Sequence, residues 1–468
     1  MRTNMSFAIV CMTTENRTTE VEEGTLNKCG KEIVTQGALD DVVGEFDWDK
    51  STQGYILGAF FWGYLGSQVL GGYLASRFGG KRVILTTILG SSLLTLASPV
   101  AARTHAYILA AVRVAIGFLQ GATFPAMHTM WSVWGPPLEL SVLTGVTYAV
   151  CSSIQLCSDW KCACASFFWI PLSVWVRWWL AQHFLLTWCS WNSMVYFLMY
   201  MVSDRPSNHP RISEAEKQYI TTAVEASVGK HTGKHPPTPW RSIITSRAVW
   251  ACWFGHFAGD WGAYTMLVSL PSYLKDVLGL ELSSLGMLSA IPYVAYFIVI
   301  NVGGVAADFI RSKKILGTLN TRRAAMLLAS AWSSNIPCAV RLLWLWAGAL
   351  VIVFLTVGMA ISGLQYSGFV VNYLDIAPSF SGTIMGMGNT ISSLAGIASP
   401  MVTSALTPNG SQEEWQSVLW CTAAILTTGA LIFTLFASGE VQDWAKHKGG
   451  DKSDELPLKS VAFEKNNR

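Results

Sequence analysis

Four polar side chains stand inside long apolar runs. Arg113, Gln120 and His128 share the run 106–130, and Asp260 lies near the middle of 248–271. An Arg or Asp at the centre of a membrane helix costs about 2.5–3.5 kcal/mol on insertion scales, so each needs a partner, a ligand or water. Arg113 opens the pattern Arg113-x3-Gly117-x3-Gly121, whose glycines let a second helix pack close. Gln120, seven residues on, falls within about 20° of the same helix face. The fork of Arg113 suits a carboxylate or a phosphate. It reads either as the cation that draws in an anion or as an anchor at a helix end. Asp260, beside Trp261, is suited to hold Na⁺ or H⁺, to pair with Arg113, or to face a wet cavity. His128 has the chemistry to titrate at about pH 6.5, or to pack and bond locally after Pro125. Tyr366 and Asn389 are hydrogen-bond donors for an anion, and Tyr64 can reach the same space. Phe60, Phe61 and Trp62 read as packing.

The elements that must position these groups are membrane helices. Of 468 residues, 51% are hydrophobic and 13% charged, about half the ~25% charge of a soluble domain. Apolar runs near the ~20 residues that cross a bilayer lie at 52–75, 83–101, 106–130, 248–271, 284–307, 343–371, 380–405 and 415–437. Less regular candidates occupy 138–201 and 324–340, and a short run opens the chain at 3–12. The total is roughly twelve spans.

Two stretches 232 positions apart repeat one pattern. Gly72 is followed by Ser76 and a basic turn with Arg77, Gly79, Lys81 and Arg82. Gly304 is followed by Asp308 and a turn with Arg311, Lys313 and Lys314. Repetition in two halves is the architecture of secondary transporters, with a site near the midplane. These residues form a candidate gating motif.

Charge sets the expected orientation. Loops 76–82 and 308–323 are basic, and the polar segment 202–247 holds seven Lys/Arg against four Asp/Glu. Segment 13–50 holds four basic and ten acidic residues. The positive-inside rule puts the first three in the cytoplasm and 13–50 outside or in a lumen. The sequons at Asn16 and Asn409 both fall on the outer side, as glycosylation sites must. Asn4-Met5-Ser6 matches the pattern inside an apolar run and is set aside.

Two segments depart from regular helices. The run 3–12 is too short to cross the hydrocarbon and lacks a signal-peptide cleavage site, so it reads as a chain starting in mid-helix. Half of the ten cysteines and seven of the 21 tryptophans crowd into 151–191. Cys162-Ala163-Cys164 has the wrong spacing for zinc pairs and no nearby His, so no metal is expected. The segment reads as a frameshifted or mis-spliced exon, or as a diverged helix pair.

Several motifs carry a resemblance: Arg2 to Val10, Gln53-Gly54-Tyr55 through Gly63-Tyr64, Gly121-Ala122-Thr123-Phe124-Pro125-Ala126-Met127-His128, and Ser367-Gly368-Phe369 with Asn372 to Pro378. Over about 1–150 and 202–445 the chain resembles the anion:cation symporters of the major facilitator superfamily. That group includes sialin, the vesicular glutamate transporters and the sodium-phosphate cotransporters. The resemblance implies that Arg2 matches an anion-binding arginine of the first helix and Tyr264 a tyrosine of the substrate cavity. It gives Arg113 an essential role. Gln120 stands where proton-coupled members carry Glu, so Na⁺ dependence or weak coupling is expected. Leu57 and Gly259 replace a His and an Arg of the glutamate carriers, which argues against glutamate.

The expected fold is an all-α major facilitator with about twelve transmembrane helices in two six-helix halves, the first truncated and helices 5 and 6 atypical. The halves are 1–201 and 248–440, the cytoplasmic linker 202–247 and the tail 441–468. Ser213 and Glu216 form a capping box for a linker helix. The expected function is cation-coupled alternating access for a small organic or inorganic anion such as phosphate or sialic acid. The substrate-side residues are Arg2, Tyr64, Arg113, Gln120, Tyr264, Tyr366 and Asn389, and the coupling residues Asp260 and His128. The alternative is a non-transporting paralogue, or a misread gene, that retains only the membrane fold. A monomer in the plasma membrane or a lysosomal or vesicular membrane is expected. The net charge of +3 and the scattered basic residues do not suit nucleic acid. No phosphate-binding Gly-x4-Gly-Lys-Ser/Thr or nucleophile elbow is present, so neither a cofactor nor enzyme chemistry is expected.

Overall fold

The computed structural model describes residues 46, 48, 50–149, 199–228, 237–278, 282–343, 348–408 and 410–446. Arg2, Asn16, Asn409, the run 3–12, the cysteine-rich segment from 150 to 198 and the tail beyond 446 lie outside them.

The first array begins with α1 (Lys50–Phe78) and α2 (Gly80–Thr104). They meet at Gly79, whose φ of 99° is open to glycine and strained for other residues. Asp204 clamps this turn by accepting a 2.9 Å hydrogen bond from Lys81 N, one of the helix-start N–H groups that lack a partner in the helix. α3 (Ala106–Gly121) and α4 (Thr123–Trp134) make one span interrupted at Ala122. Pro125 sits in the first turn of α4, where its missing N–H costs no helix bond. α5 (Leu140–Ala149) follows.

The polar middle contributes α6 (Glu214–Val228) and α7 (Trp240–Thr245). At the start of α6, one arm of the expected capping box is in place: Glu216 N donates to Ser213 Oγ at 3.2 Å. Tyr219 ties α6 to the start of α5 by donating to Glu139 Oε1 at 3.0 Å. Burial and then the Glu139 carboxylate push its phenol up, so it stays a donor as pH rises past neutrality.

The second array holds α8 (Arg247–Leu278), α9 (Leu282–Ser312), α10 (Thr318–Leu343) and α11 (Gly348–Ser362). A π turn at Tyr366–Val370 leads into α12 (Val371–Ile376), then α13 (Ser381–Leu406) and α14 (Gln412–Phe436). Among the described residues five spans are long and apolar enough to cross a membrane: Gly80–Thr104, Ala106–Trp134, Ile291–Ser312, Leu350–Ile376 and Gln412–Phe436. α1, α8 and α13, at 29, 32 and 26 residues, also have spanning length. They carry the polar groups that meet at the centre.

The surface is sorted as a bilayer requires. Trp62, Leu93, Val100, Met401 and Leu435 face outward, while Gln68, Ser91, Thr144, Asn372 and Ser399 are buried. Lipid tails are as apolar as leucine, so packing and hydrogen bonds rather than hydrophobic burial hold the helices together. Glycines set the closest approaches. A Cβ on Gly63 would lie 1.9 Å from Val114 O, and one on Gly117 would lie 2.0 Å from Phe60 O. The glycines read from the sequence thus bring α3 onto α1. Hydroxyls on α2 satisfy themselves along the helix, as Ser91 and Thr95 do at 2.6 Å to the carbonyls of Thr87 and Ser91.

The arrays meet at equivalent points. A Cβ on Gly72 of α1 would lie 2.3 Å from Gly382 O at the start of α13, and one on Gly304 of α9 would lie 2.7 Å from Ser141 O at the start of α5. The repeated glycine therefore serves one purpose twice: it lets a helix of one array touch the first turn of a helix in the other.

One sequence expectation changes, and one irregular candidate proves helical. The loop 308–323 is shorter than charge counting implies, because α9 runs to Ser312 and α10 starts at Thr318. Arg322, taken as a loop cation, is fully buried. The stretch 324–340, irregular in sequence, lies within the helix α10.

Candidate functional site

The centre of the interface is built along α13. Asn389 Nδ2 donates to Tyr64 Oη on α1 at 3.1 Å. Tyr64 stacks on Phe60 at 5.6 Å, and the Arg113 guanidinium lies over the Phe60 ring, 5.2 Å from its centroid. Three predicted residues, Arg113, Tyr64 and Asn389, thus form one line through Phe60. Arg113 is 4% exposed. A ring face attracts a cation, so Phe60 steadies the guanidinium without neutralising it, as a carboxylate would. Gln68 adds a second cross-array bond, donating to Ser393 Oγ at 2.9 Å.

One turn from Asn389, Ser392 donates to Asp260 Oδ2. His256, four residues before Asp260 on α8, places Nε2 3.6 Å from the same oxygen. Its Nδ1 lies 3.2 Å from Tyr373 Oη, and its ring stacks on Phe369 at 4.8 Å. Asp260 therefore pairs with Ser392 and His256, and the alternative of an ion pair with Arg113 is not what the fold adopts.

Below this cluster lies an aromatic layer. His128 Nε2 is 3.1 Å from Tyr148 Oη, and Tyr148 packs on Tyr366 with centroids 4.8 Å apart. Tyr366, the first residue of the π turn, meets Tyr296 at 6.1 Å, and Gln365 Nε2 donates to Tyr296 Oη at 3.4 Å. His128 and Tyr366, predicted separately, share a neighbour. Tyr264 lies against Gly396, where an added Cβ would come within 3.0 Å of its ring. Gln120 is half-buried on α3, two turns beyond Arg113.

The candidate gating motif divides. Arg77 is exposed and donates to Tyr73 Oη at 3.0 Å, and Arg82 is exposed as well. In the second repeat, Asp308 Oδ2 accepts a 2.8 Å bond from Val142 N at the start of α5. Arg311 donates to Pro137 O at 2.8 Å and lies 3.6 Å from Asp308 and 3.8 Å from Asp375. Arg322 bonds Asp375 at 2.7 Å, Ser141 Oγ at 2.7 Å and Ser367 O at 3.0 Å. The end of the bundle with the basic turns is closed by this network and by the Gly72–Gly382 contact.

The sequence reading missed His256, Arg322, Asp375, Tyr148, Tyr296 and Tyr373. His256 had a signal, since a His four residues before a buried Asp shares its helix face. The tyrosines had none, because their partners are far away in sequence.

This helical bundle, with paired cross-array contacts and a polar cluster at the centre, is that of a multi-pass membrane transporter. The chain belongs to the Major Facilitator Superfamily, whose profile matches residues 31–158 and 179–400. The interruption falls inside the cysteine- and tryptophan-rich stretch. Within the superfamily it groups with sialin and the vesicular glutamate transporters. It is 36% identical to human sialin over 95% of this chain and 87% of sialin. It is 34% identical to human vesicular glutamate transporter 2 over 95% of this chain and 72% of that protein. A Caenorhabditis elegans protein described as an uncharacterized transporter is 62% identical over 98% of this chain and 92% of its own. Among solved structures, the proton:xylose symporter XylE is similar with a TM-score of 0.61 at 14% identity, covering 84% of this chain and 88% of XylE. The human organic anion transporter MFSD10 has a TM-score of 0.53 at 16% identity, covering 81% and 83%. The structural likenesses support the fold. The chain thus belongs to a family of transporters, not of enzymes.

Proposed function

We propose that this chain carries a small organic or inorganic anion, such as sialic acid or phosphate, by cation-coupled alternating access. The observation that carries the reading is Arg113: a buried guanidinium on an aromatic face, in line with Tyr64 and Asn389 at the seam between the arrays. A desolvated anion needs such a charge, because burying it unpaired is prohibitive. The relatives described as sialin support an organic acid. Leu57 and Gly259, in place of a His and an Arg of the glutamate carriers, disfavour glutamate. Asp260 is the coupling acid, and His128 lies beside the path. The closed network at the basic end is one gate of the cycle.

The test is uptake into proteoliposomes that hold the full chain, with radiolabelled N-acetylneuraminate, inorganic phosphate and glutamate. Uptake of either of the first two above glutamate, lost in Arg113→Ala, is the expected result. A correctly inserted chain that moves none of the three would favour the non-transporting reading, which the interrupted family match at 159–178 makes worth testing.

A further inference from the structure

Building on the anion-transport reading, we propose that His256 and Asp260 together bind one coupling proton per cycle. The two side chains are one turn apart on α8, 5% and 19% exposed, with Nε2 and Oδ2 3.6 Å apart. That gap is too long for a direct hydrogen bond, and it lets a proton on either group act on the other. Each has a polar neighbour: Tyr373 Oη at His256 Nδ1, on the far side of the ring, and the Ser392 hydroxyl at Asp260 Oδ2, the oxygen that faces His256. These two are positioning residues. They fix the ring and the carboxylate with their reactive atoms turned toward each other.

The surroundings isolate the pair. α8 packs against α7, α9, α11, α12, α13, α14 and the π turn. α11 and α13 have no titratable side chain. α14 offers Glu413 and Glu414 in its first turn and Cys421. α7 offers Arg241. α9 offers Tyr293 and Tyr296 along its length and Asp308 and Arg311 at the basic end. The π turn and α12 offer Tyr366, Tyr373 and Asp375, the last committed to Arg322. Across the seam stand His128 and Tyr148. On α8 itself, Cys252 bonds Asn372 Oδ1, Tyr264 lies against Gly396, and the remaining ionisable groups stand near the ends. Among the described residues no second acid reaches the pair, so it takes up one proton rather than two.

The balance is simple. The empty site is a carboxylate beside a neutral imidazole, with a charge of −1. A proton from water on one side forms one N–H or O–H bond, giving either imidazolium with carboxylate or imidazole with carboxylic acid. Both are neutral overall. The same bond breaks on the other side and the proton returns to water. A net charge at membrane depth is costly. With an anion offsetting Arg113, an unprotonated Asp260 would leave the centre negative, so the anion-loaded carrier turns over only with the proton aboard; with neither bound, the Arg113 and Asp260 charges offset each other and the empty carrier returns.

The donor set argues against Na⁺ here. Hard cations need a shell of several oxygens. Among the described residues, one hydroxyl and one imidazole nitrogen stand beside the Asp260 carboxylate, and imidazole suits softer metals. On this reading the coupling ion is H⁺, where Gln120 led to an expectation of Na⁺ dependence or weak coupling.

The test has two arms, both on the purified full chain. In proteoliposomes, a pH gradient and a Na⁺ gradient are imposed separately, with N-acetylneuraminate and inorganic phosphate as probes. One pH unit, acid on the donor side, should raise accumulation by up to about tenfold, and a Na⁺ gradient should not. Asp260→Asn and His256→Gln should each lower the ratio of gradient-driven accumulation to exchange toward that without a gradient. Ser392→Ala should shift the pH midpoint of uptake. The second arm needs no transported probe: infrared pH-difference spectra of carboxyl and imidazole bands, wild type against Asp260→Asn and His256→Gln. A titrating signal that both variants alter supports the pair, even if neither probe is carried and the anion reading fails. Spectra unaltered by either variant, or Na⁺-driven accumulation that Asp260→Asn abolishes, would overturn it.

Discussion

At the scale of single residues, the centre of this protein holds a buried cation, Arg113, over the face of Phe60. Arg113→Ala should abolish anion uptake while the protein still inserts and reaches the membrane, since it removes the charge that offsets anion desolvation. Arg113→Lys should restore little, because a point charge cannot make the bidentate contact or lie flat on Phe60. Uptake kinetics with surface biotinylation check both, and normal uptake by the Ala variant would make Arg113 a structural residue. Gln120→Glu should add a second titrating acid on the face of Arg113. The pH profile of uptake should then gain a second inflection, and an unchanged profile would place position 120 outside the path.

At the scale of elements, the repeats share a glycine and differ four residues later. Asp308 caps the first turn of α5 through Val142 N, whereas Ser76 only bonds Tyr73 O within its own helix at 2.8 Å. Losing a helix cap costs about 0.5–2 kcal/mol. Asp308→Ala should therefore weaken closure at the basic end by about that amount, and Ser76→Ala should stay within about 0.5 kcal/mol of the parent. Thiol labelling of Ser141→Cys, sealed in this structure beside Arg322, reads closure directly. Equal labelling in the two alanine variants would contradict the asymmetry. Gly72→Leu and Gly304→Leu should both open that end, because each side chain would collide with backbone of the other array.

At the scale of the whole molecule, the prediction concerns topology. Segment 13–50 and residues 406–414 should face the outside or lumen, and 202–247 and 441–468 the cytoplasm, from the charge asymmetry. Glycosylation at Asn16 and Asn409, with an engineered sequon at 225–235 left bare, is the expected pattern in a mapping experiment. The reverse pattern would invert the molecule.

The sequence by itself determined the class. Apolar runs of spanning length report the solvent, a bilayer, whatever the packing. The duplicated glycine-and-basic-turn pattern marks two arrays, and the glycines of α3 and the start of α6 read correctly because capping and close approach depend on near neighbours. Arg113 and Asp260 stood out since a charge in an apolar run is costly in any fold. What only the tertiary structure decided is who meets whom. Asp260 took Ser392 across 132 residues and His256 along its own helix rather than Arg113. Arg322 left its apparent loop for Asp375, 53 residues away. Tyr64 met Asn389 across 325 residues. In a membrane, side chains are not sorted inward by their hydrophobicity, so neither periodicity nor composition says which buried polar group bonds which. Those pairings follow from where two arrays, far apart in sequence, come to lie against each other.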